Sequence, residues 1–372
     1  MVEALIVFAR QGHFVERRRG NGSGVDRAPS CRGGTRVKSR HFRFVTGLAA
    51  SAALLTSATL GVVSSAQAAP KTIRVAYLSF AVSNSYDAPM LAAAKAVAAA
   101  DGVSVTVFDA NNNPATQYTQ LQDVITSGNY QGIITQPIVS TNLVPLVKKA
   151  IAKGIKVVNI DQILGASYAT DKPQVPGLSA NVVFLPTRIG TLLGTQVASA
   201  CGAKKLNPCN VAYMYNIKGS TLDTAIYNAF NKVVSKHSNI HQVANGSGYF
   251  TISLADTAVA NILQANPNLN LIVGSDQSIE GAQVALASAN NKHVVLVGFG
   301  ASAAGIAGVK SGAWYSDVAQ APATEGQEGM IAPVAAIKTG KNMGTIDPVA
   351  KLPLHGLVTK SDASHFTGEW PG

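Results

Sequence analysis

Two glycine-containing runs late in the chain have residue types that could bind a cofactor or catalyse hydrolysis. Gly298-Phe-Gly-Ala-Ser-Ala303 fits the relaxed dinucleotide-binding pattern G-x-G-x-x-A. That pattern requires the first strand–helix unit of a dinucleotide-binding domain, whereas this run lies late in the chain. Gly300-Ala-Ser-Ala-Ala-Gly305 is one residue too long for the G-x-S-x-G turn that carries a hydrolase serine. Both runs are better explained as a strand-to-helix turn.

A histidine pair is the other feature that could indicate a metal site or an enzyme. His237 and His241 have the i, i+4 spacing that could bind a metal on one helix face. The segment between them reads as a helix end running into a strand, and no cysteine or acidic third ligand is evident. The sequence therefore predicts a protein that is not an enzyme and has no metal or cofactor. An exported α/β enzyme is the alternative, and chemical conversion of a bound ligand would support it.

Short runs rich in β-branched residues alternate along the chain with alanine-rich helical stretches. These elements must position the remaining polar side chains. The first set of strands is predicted at 72–79, 104–109, 132–135 and 156–160. The second set follows a proline- and glycine-bearing stretch and is predicted at 210–215, 242–244, 271–274, 294–299 and 314–318. Such alternation favours parallel sheets covered by helices on both faces. We predict an α/β fold with two similar doubly wound parallel-sheet lobes and a ligand cleft between them.

Polar and aromatic side chains follow several of these strands directly. In an open α/β sheet, ligands bind at the carboxyl ends of the strands, and a cleft between two lobes is a common place for a small-molecule site. The positions that this rule selects are 81–86, 161–162, 216–221, 275–277, Gly300 and Gln320. The sequence therefore predicts one binding site that is built from strand ends of both lobes.

Composition indicates a globular protein of two domains and excludes a nucleic-acid partner. The chain has 372 residues, of which 47% are hydrophobic and 13% charged, which is too apolar for a disordered chain. Its net charge is +11, but residues 1–69 alone carry +7 and leave +4 for the rest. The remainder has no basic stripe, zinc finger or RNA-binding motif.

The N-terminal segment has the pattern of an export signal. A basic segment ending at Arg43 precedes an uncharged run over 44–63, which is followed by the small-x-small site Ala66-Gln67-Ala68. We predict that residues 1–69 are a leader and signal peptide and that the mature protein lies in the periplasm. A transmembrane anchor is the alternative, since 20 uncharged residues could span a bilayer. No lipid-anchor cysteine stands at the cleavage site.

Cysteine usage agrees with export. Cys31 lies in the predicted leader, so the mature chain keeps Cys201 and Cys209. The stretch between them has Gly202 and Pro208 at its ends, which suits a turn that brings the two sulfurs together. In an oxidising compartment we predict a disulfide between them, with two unrelated thiols as the alternative.

Four runs in the predicted mature chain carry a resemblance to a known family. They are Asp109–Gly128, Val157–Asp161, Val297–Gly300 and Ala319–Pro322. In this order behind a signal peptide, they resemble the type I periplasmic binding proteins, close to the ribose-binding branch, from 72 to about 358. The resemblance implies two lobes joined by three strand crossovers near 179–181, 320–322 and 351–354. The implied lobes are 70–179 plus 322–352 and 180–321 plus 353–372, and they would close on a ligand by hinge motion.

The resemblance also implies a set of ligand-binding residues. They are Asn84, Tyr86, Asp161, Gln162, Ser275, Asp276, Gln320 and one second-lobe aromatic, Tyr249 or Phe250. Asp161 would accept hydrogen bonds from ligand hydroxyls, and Tyr86 could stack on a sugar ring. Gln162 and Ile226 stand where the family has arginine, and Gly300 stands where it has aspartate. These losses argue against ribose itself and against acidic ligands.

The predicted function is that of a solute-binding protein of an ABC importer. It would bind a small neutral ligand, a sugar or polyol, and pass it to a membrane permease, acting as a monomer. A sensor or chemoreceptor ligand-binding protein is the alternative function. An uncharged non-sugar molecule is an alternative ligand, given the lost charged residues. An amine-bearing molecule is another, because Asp161 and Asp276 remain without a matched arginine.

Overall fold

The structure is a computed structural model that describes residues 72–372. The predicted leader and signal peptide over 1–69, together with Cys31, lie outside the described residues. Within 72–372, no helix combines the length and apolar character that crossing a bilayer requires.

The first sheet is entirely parallel and is built from six strands in the order β2-β1-β3-β4-β5-β11. The strands are β1 (Arg74–Ser79), β2 (Ser104–Asp109), β3 (Gly132–Thr135), β4 (Lys156–Asp161), β5 (Ala180–Val183) and β11 (Gly344–Ile346). Its helices are α1 (Asp87–Ala100), α2 (Pro114–Ser127), α3 (Val144–Ala152) and α9 (Pro322–Thr339). Every residue of β3 and β5 is buried, as a sheet covered by helices on both faces requires. We call this sheet and its helices the first lobe.

The second sheet repeats this arrangement in the order β7-β6-β8-β9-β10-β12. Its strands are β6 (Cys209–Tyr215), β7 (Ile240–Ser247), β8 (Leu271–Ser275), β9 (Val295–Phe299), β10 (Ser316–Val318) and β12 (Leu357–Thr359). Its helices are α4 (Pro186–Ala203), α5 (Thr221–Val234), α6 (Ile252–Ala265), α7 (Asp276–Ser288) and α8 (Ala303–Ser311). The edge strand β12 runs antiparallel to β10, whereas the other pairings are parallel. This sheet and its helices are the second lobe, and the predicted fold class is confirmed.

The chain passes between the two sheets three times, but the first crossing is later than expected. β5 pairs with β4 in the first sheet, with Val158 beside Ala180 and Asp161 beside Val183. The expected boundary at 179 therefore falls before this strand, and the chain leaves the first lobe only after Val183. A four-residue strand is too short to show a periodicity of its own, so the sequence did not separate it from a hinge segment.

The predicted disulfide between Cys201 and Cys209 is present. It joins the last turn of α4 to the first residue of β6, with the two Cα atoms 5.9 Å apart. Both cysteines are buried in the apolar layer between α4, α5 and the second sheet. The bond closes the turn that contains Pro208 and so ties α4 to β6, the strand next to the edge strand β7.

Candidate functional site

A cavity lies where the carboxyl ends of strands from the two sheets face each other. Its polar lining from the first lobe consists of Asn84, Asp87, Gln136, Asp161 and Gln162, with Tyr86 and Phe80 beside them. Its lining from the second lobe is mainly apolar and consists of Phe184, Leu222, Ile226, Phe250, Phe299 and Trp370, with Asn216, Ser275, Gln277 and Gln320. Among the described residues, no lysine or arginine lines this cavity. One wall can therefore form hydrogen bonds and the opposite wall can pack against carbon.

Gln136 organises the polar wall. Its Nε2 donates to Asp87 Oδ1 at 2.6 Å and to Asp161 Oδ2 at 3.0 Å. Its Oε1 accepts from the backbone N–H of Phe80 at 3.0 Å, which fixes the orientation of the amide. Gln162 Nε2 adds a second donor to Asp161 Oδ2 at 3.2 Å. In the described chain Asp161 Oδ1 has no such donor, so this oxygen is available to a ligand.

The carboxyl groups of this wall have raised pKa values. Burial, followed by the negative charge of Asp161, raises the pKa of Asp87 to about 7. Burial also raises the pKa of Asp161 to about 6, against the lowering effect of the hydrogen bonds from Gln136 and Gln162. Behind the wall, Tyr86 donates its hydroxyl to Glu325 at 3.2 Å, and burial raises the pKa of Glu325 well above its usual range. The wall therefore holds less negative charge near neutral pH than its composition indicates.

These shifts predict that the ligand-free protein is more stable at pH 5 than at pH 8. A carboxyl group whose pKa is higher in the folded state than the unfolded value of about 4 binds more protons when folded. Its contribution to the free energy of unfolding is present at low pH and is lost as the pH rises through 6 and 7. The measurement is the thermal midpoint between pH 5 and pH 8 for the wild type, Asp87→Asn and the exposed control Asp123→Asn. Asp87→Asn should reduce the pH dependence and the control should keep it; an unchanged dependence in Asp87→Asn would refute the assignment.

Two of the four polar side chains of the opposite wall, Asn216 and Ser275, are hydrogen-bonded within the protein. Ser275 Oγ donates to Asn216 Oδ1 at 2.6 Å, and Asn216 Nδ2 lies 3.4 Å from Asp223 Oδ1. Asp223 in turn accepts from the backbone N–H of Ile217 at 2.5 Å, in the turn that leads into α5. These bonds hold the loop after β6 in place. The ligand-facing surface of this wall then consists of the ring faces, the aliphatic carbons and the amides of Gln277 and Gln320.

The two lobes also touch each other directly at the start of α5. The hydroxyl of Tyr168, in the loop after β4, lies 2.9 Å from Thr221 Oγ1 at the start of α5. Residues of both lobes therefore bound the cavity, and outside its lining a direct polar contact joins the two lobes.

The comparison with known families decides what kind of protein has this arrangement. Residues 75–342 match the model of a family described as a periplasmic binding protein domain. This chain belongs to that periplasmic binding protein family. The D-allose-binding periplasmic protein of Escherichia coli K12 is 30% identical over 261 residues, which cover 69% of this chain and 81% of that protein. The xylitol-binding protein of Mycolicibacterium smegmatis is 24% identical over 267 residues, 71% of each chain.

Solved structures show the same fold. A solute-binding protein of an ABC transporter from Mycobacterium smegmatis with bound glycerol has a TM-score of 0.67 and 22% identity, and covers 81% of this chain and 100% of its own. An ABC transporter solute-binding protein from Actinobacillus succinogenes with bound D-allose has a TM-score of 0.67 and 24% identity, and covers 79% and 100%. These relatives are binding proteins rather than enzymes, which agrees with the prediction made from the sequence.

Six of the predicted site residues of this periplasmic binding protein line the cavity, and two do not. Those that line it are Asn84, Tyr86, Asp161, Gln162, Ser275 and Gln320. Tyr249 is 56% exposed and was wrongly placed; its neighbour Phe250 lines the cavity instead, because the turn at 249–250 has positive φ at both residues. Asp276 was also wrongly placed: it is fully buried, accepts from the backbone N–H of Ser302 at 2.7 Å and lies beside Asp317.

The three positions where the expected charged residues are absent each have a structural explanation. Gln162 donates to Asp161, and Ile226 is part of the apolar wall. At Gly300, the indole of Trp370 occupies the space that a side chain would need, since a Cβ added there would lie 2.6 Å from Trp370 Cζ2. The net effect is a cavity without a cation and with more apolar surface.

Sequence reasoning missed three cavity residues that matter for the chemistry. Gln136 directly follows β3, so the strand-end rule used for the other loops would have found it. Asp87 begins α1, one position beyond the loop that was selected. Trp370 has no local signal, because it lies near the C-terminus and far in sequence from the strands that it contacts. The histidine pair is confirmed as a surface feature: His237 lies in the turn after α5 and His241 in β7, and both are exposed.

Within residues 72–372, no group of three or more histidine, cysteine or acidic side chains is arranged to hold a metal ion.

Proposed function

We propose that this chain is the solute-binding protein of an ABC importer and that it captures a small neutral sugar or polyol in the cavity between its lobes. The observation that carries the proposal is the asymmetry of that cavity, with carboxylate and amide groups on one wall and mainly aromatic and aliphatic groups on the other. Support comes from relatives described as D-allose-binding, ribose import binding and xylitol-binding proteins.

The chemistry of the two walls suits a polyhydroxylated molecule. Ligand hydroxyls would donate to Asp161 and Asp87, because an ionised carboxylate can only accept, and amide groups of Gln136 and Gln162 would complete the pattern. The C–H surface of the ligand would pack against Phe250 and the other rings of the second lobe. Asn84, Tyr86, Ser275 and Gln320 are the further residues to which we assign ligand contact. Enclosure removes these groups from water, and a hydrogen bond contributes more in such a low-dielectric environment than it does in water.

Binding would proceed by closure of the two lobes about the three crossing segments, a known mode of hinge motion. We further propose that the mature protein acts as a monomer in the periplasm, after removal of the leader, and delivers its ligand to the permease. A sensor that presents its closed form to a receptor is the alternative. Neighbouring genes for an ATPase and a permease, as opposed to a kinase or chemoreceptor, would separate the two roles.

A second candidate ligand is an amine-bearing sugar or polyol. The observation in its favour is that Asp87 and Asp161 line the cavity while no lysine or arginine of the described chain does. An ammonium group could pair with these carboxylates and rest on the aromatic rings. Its affinity would rise steeply from pH 5 to pH 8 as the two carboxyl groups ionise, whereas that of a neutral ligand would change less.

A thermal-shift screen of the exported protein tests the proposal. The panel contains D-allose, D-ribose, xylitol and glycerol, each paired with an amino-substituted counterpart. A ligand that binds only the folded state raises the midpoint by mass action, so neutral members should raise it in a concentration-dependent way. A thermal shift with the amino-substituted compounds alone would favour the second candidate ligand. Chemical conversion of a compound that binds would support the enzyme alternative.

A further inference from the structure

The last residues of the chain form a fixed tail against the start of α8. We define the C-terminal tail as residues 367–372. The backbone N–H of Ala303 donates to Trp370 O at 2.8 Å, and that of Ala304 donates to Pro371 O at 3.2 Å. The first N–H groups of a helix have no partner within the helix, so the tail satisfies two of them. A Cβ added at Gly368 would lie 2.4 Å from Ala303 N, so the tail approaches α8 too closely for any side chain there.

The tail also binds the first lobe. Glu369 Oε2 accepts from the backbone N–H of Thr324 at 2.8 Å, and Glu369 Oε1 accepts from Thr324 Oγ1 at 2.6 Å. Thr324 lies in the first turn of α9, whose N-cap residue Ala321 makes no side-chain capping bond. A carboxylate at this position replaces the missing cap and complements the helix dipole. The tail therefore joins the start of a helix in each lobe.

Between these two attachments, Trp370 forms part of the cavity wall. Its indole N–H donates to Gly300 O at 2.9 Å, and its ring meets that of Tyr86 edge-on, with 5.5 Å between centroids. The indole occupies the space that a side chain at position 300 would need, given the 2.6 Å approach of a Cβ there to Trp370 Cζ2. Because its only polar atom is already bonded to Gly300, the indole offers the ligand an apolar surface.

We propose that Trp370 contacts the bound ligand and determines which ligands fit, with the C-terminal tail holding it against both lobes. The ligand class that this wall selects is a sugar or polyol that presents a C–H face or a deoxy carbon to the indole. A hydroxyl directed at this surface would lose its hydrogen bond to water without a replacement. This inference rests on the proposed function of the same cavity.

The test compares substitutions at the two tryptophans of the chain. Trp370→Ala, Trp370→Phe and the control Trp314→Phe, whose ring lies in the core of the second lobe, are titrated calorimetrically with D-allose, D-ribose and xylitol. Trp370→Ala should weaken binding by about tenfold or more, as truncation of a buried aromatic contact does, and Trp370→Phe by less. Trp314→Phe should leave the affinity unchanged. Thermal midpoints without ligand verify that each variant is folded.

Two further readouts separate ligand contact from a purely structural role. In the Trp314→Phe variant, Trp370 is the only tryptophan, so its fluorescence should change on addition of a binding probe. Gly300→Ala should weaken binding in the wild type, because its Cβ would meet the indole and Asp276 and because a φ of 141° strains an alanine. The strain and the Asp276 contact remain in the Trp370→Ala background, so a smaller effect there isolates the part that is due to the indole.

The outcomes are distinct. Equal affinities for the wild type and a folded Trp370→Ala variant, with unchanged Trp370 fluorescence, would overturn this inference and leave the proposed function standing. Failure of every probe to bind the wild type would count against the proposed function itself, and this inference would fall with it.

Discussion

Replacing Asp161 with alanine should weaken binding of the cognate sugar or polyol by about 5- to 150-fold. This range corresponds to the roughly 1–3 kcal/mol that is lost when buried hydrogen-bonding groups are left without a partner. Asp161 lies at the end of β4, its Oδ2 is held by Gln136 and Gln162, and its Oδ1 remains free for a ligand hydroxyl. Removal of the side chain would leave the ligand donor and the Gln162 amide without this partner, and would take away one of the two acceptors of Gln136 Nε2.

Two companion variants make this prediction specific. Asp161 has a φ of 60°, a conformation that alanine tolerates poorly and asparagine well, so Asp161→Asn isolates the loss of the carboxylate from backbone strain. It should lose less affinity than Asp161→Ala, because one acceptor oxygen remains. Asp123→Ala, on the exposed face of α2, is the matched control and should bind normally in calorimetric titrations. Unchanged affinity in Asp161→Asn and Asp161→Ala would remove Asp161 from the site.

The largest predicted effect on stability is that of Gly326→Ala. In the structure α9 crosses α1 so closely that a Cβ at position 326 would lie 1.8 Å from Met90 O and 2.6 Å from Met90 C. These are backbone atoms, so no side-chain rotation can relieve the overlap and the two helices must move apart. The free energy of unfolding should fall by about 1–3 kcal/mol or more, which is typical of an overpacked core.

Gly202→Ala is the matched control for this substitution. Gly202 is also a helical glycine, in the last turn of α4, and a Cβ there would meet nothing within 4 Å. Because alanine loses less backbone entropy than glycine in a helix, the control should gain about 0.5–1 kcal/mol. Thermal and urea denaturation of the two variants should therefore shift in opposite directions. Similar shifts in both would show that the α1–α9 contact is not as close as described.

Much of the fold and part of the candidate site could be predicted from the sequence, because the patterns that indicate them are local. Apolar runs such as Gly132–Thr135 and Leu271–Ser275 lie between helical stretches, and this alternation alone predicts parallel sheets with helices on both faces. Since all strands of a parallel sheet end at the same edge, the polar residues after them were placed in one cleft before the fold was known. Asp161, Gln162, Ser275 and Gln320 line the cavity for this reason. The disulfide was equally local, because a short turn joins its two cysteines.

Residues whose position depends on distant contacts were misplaced or missed. Asp276 follows β8 as a ligand-binding residue should, yet the packing of α8 and β10 buries it beside Ser302 and Asp317. Tyr249 and Phe250 are adjacent and chemically alike, so only the turn geometry decides which ring reaches the cavity. β5 became recognisable as a strand only through its pairing with β4.

The two walls of the cavity differ in how far the sequence alone could predict them. The sequence by itself determined a two-lobed α/β protein with a hydrogen-bonding wall of strand-end residues, because these features follow from periodicity and chain order. Only the tertiary structure decided how the apolar part of the opposite wall is built. There the indole of Trp370 fills the space beside Gly300, and Glu369 joins the tail to Thr324. Contacts between segments so far apart in the chain depend on how the two lobes pack, which no local pattern encodes.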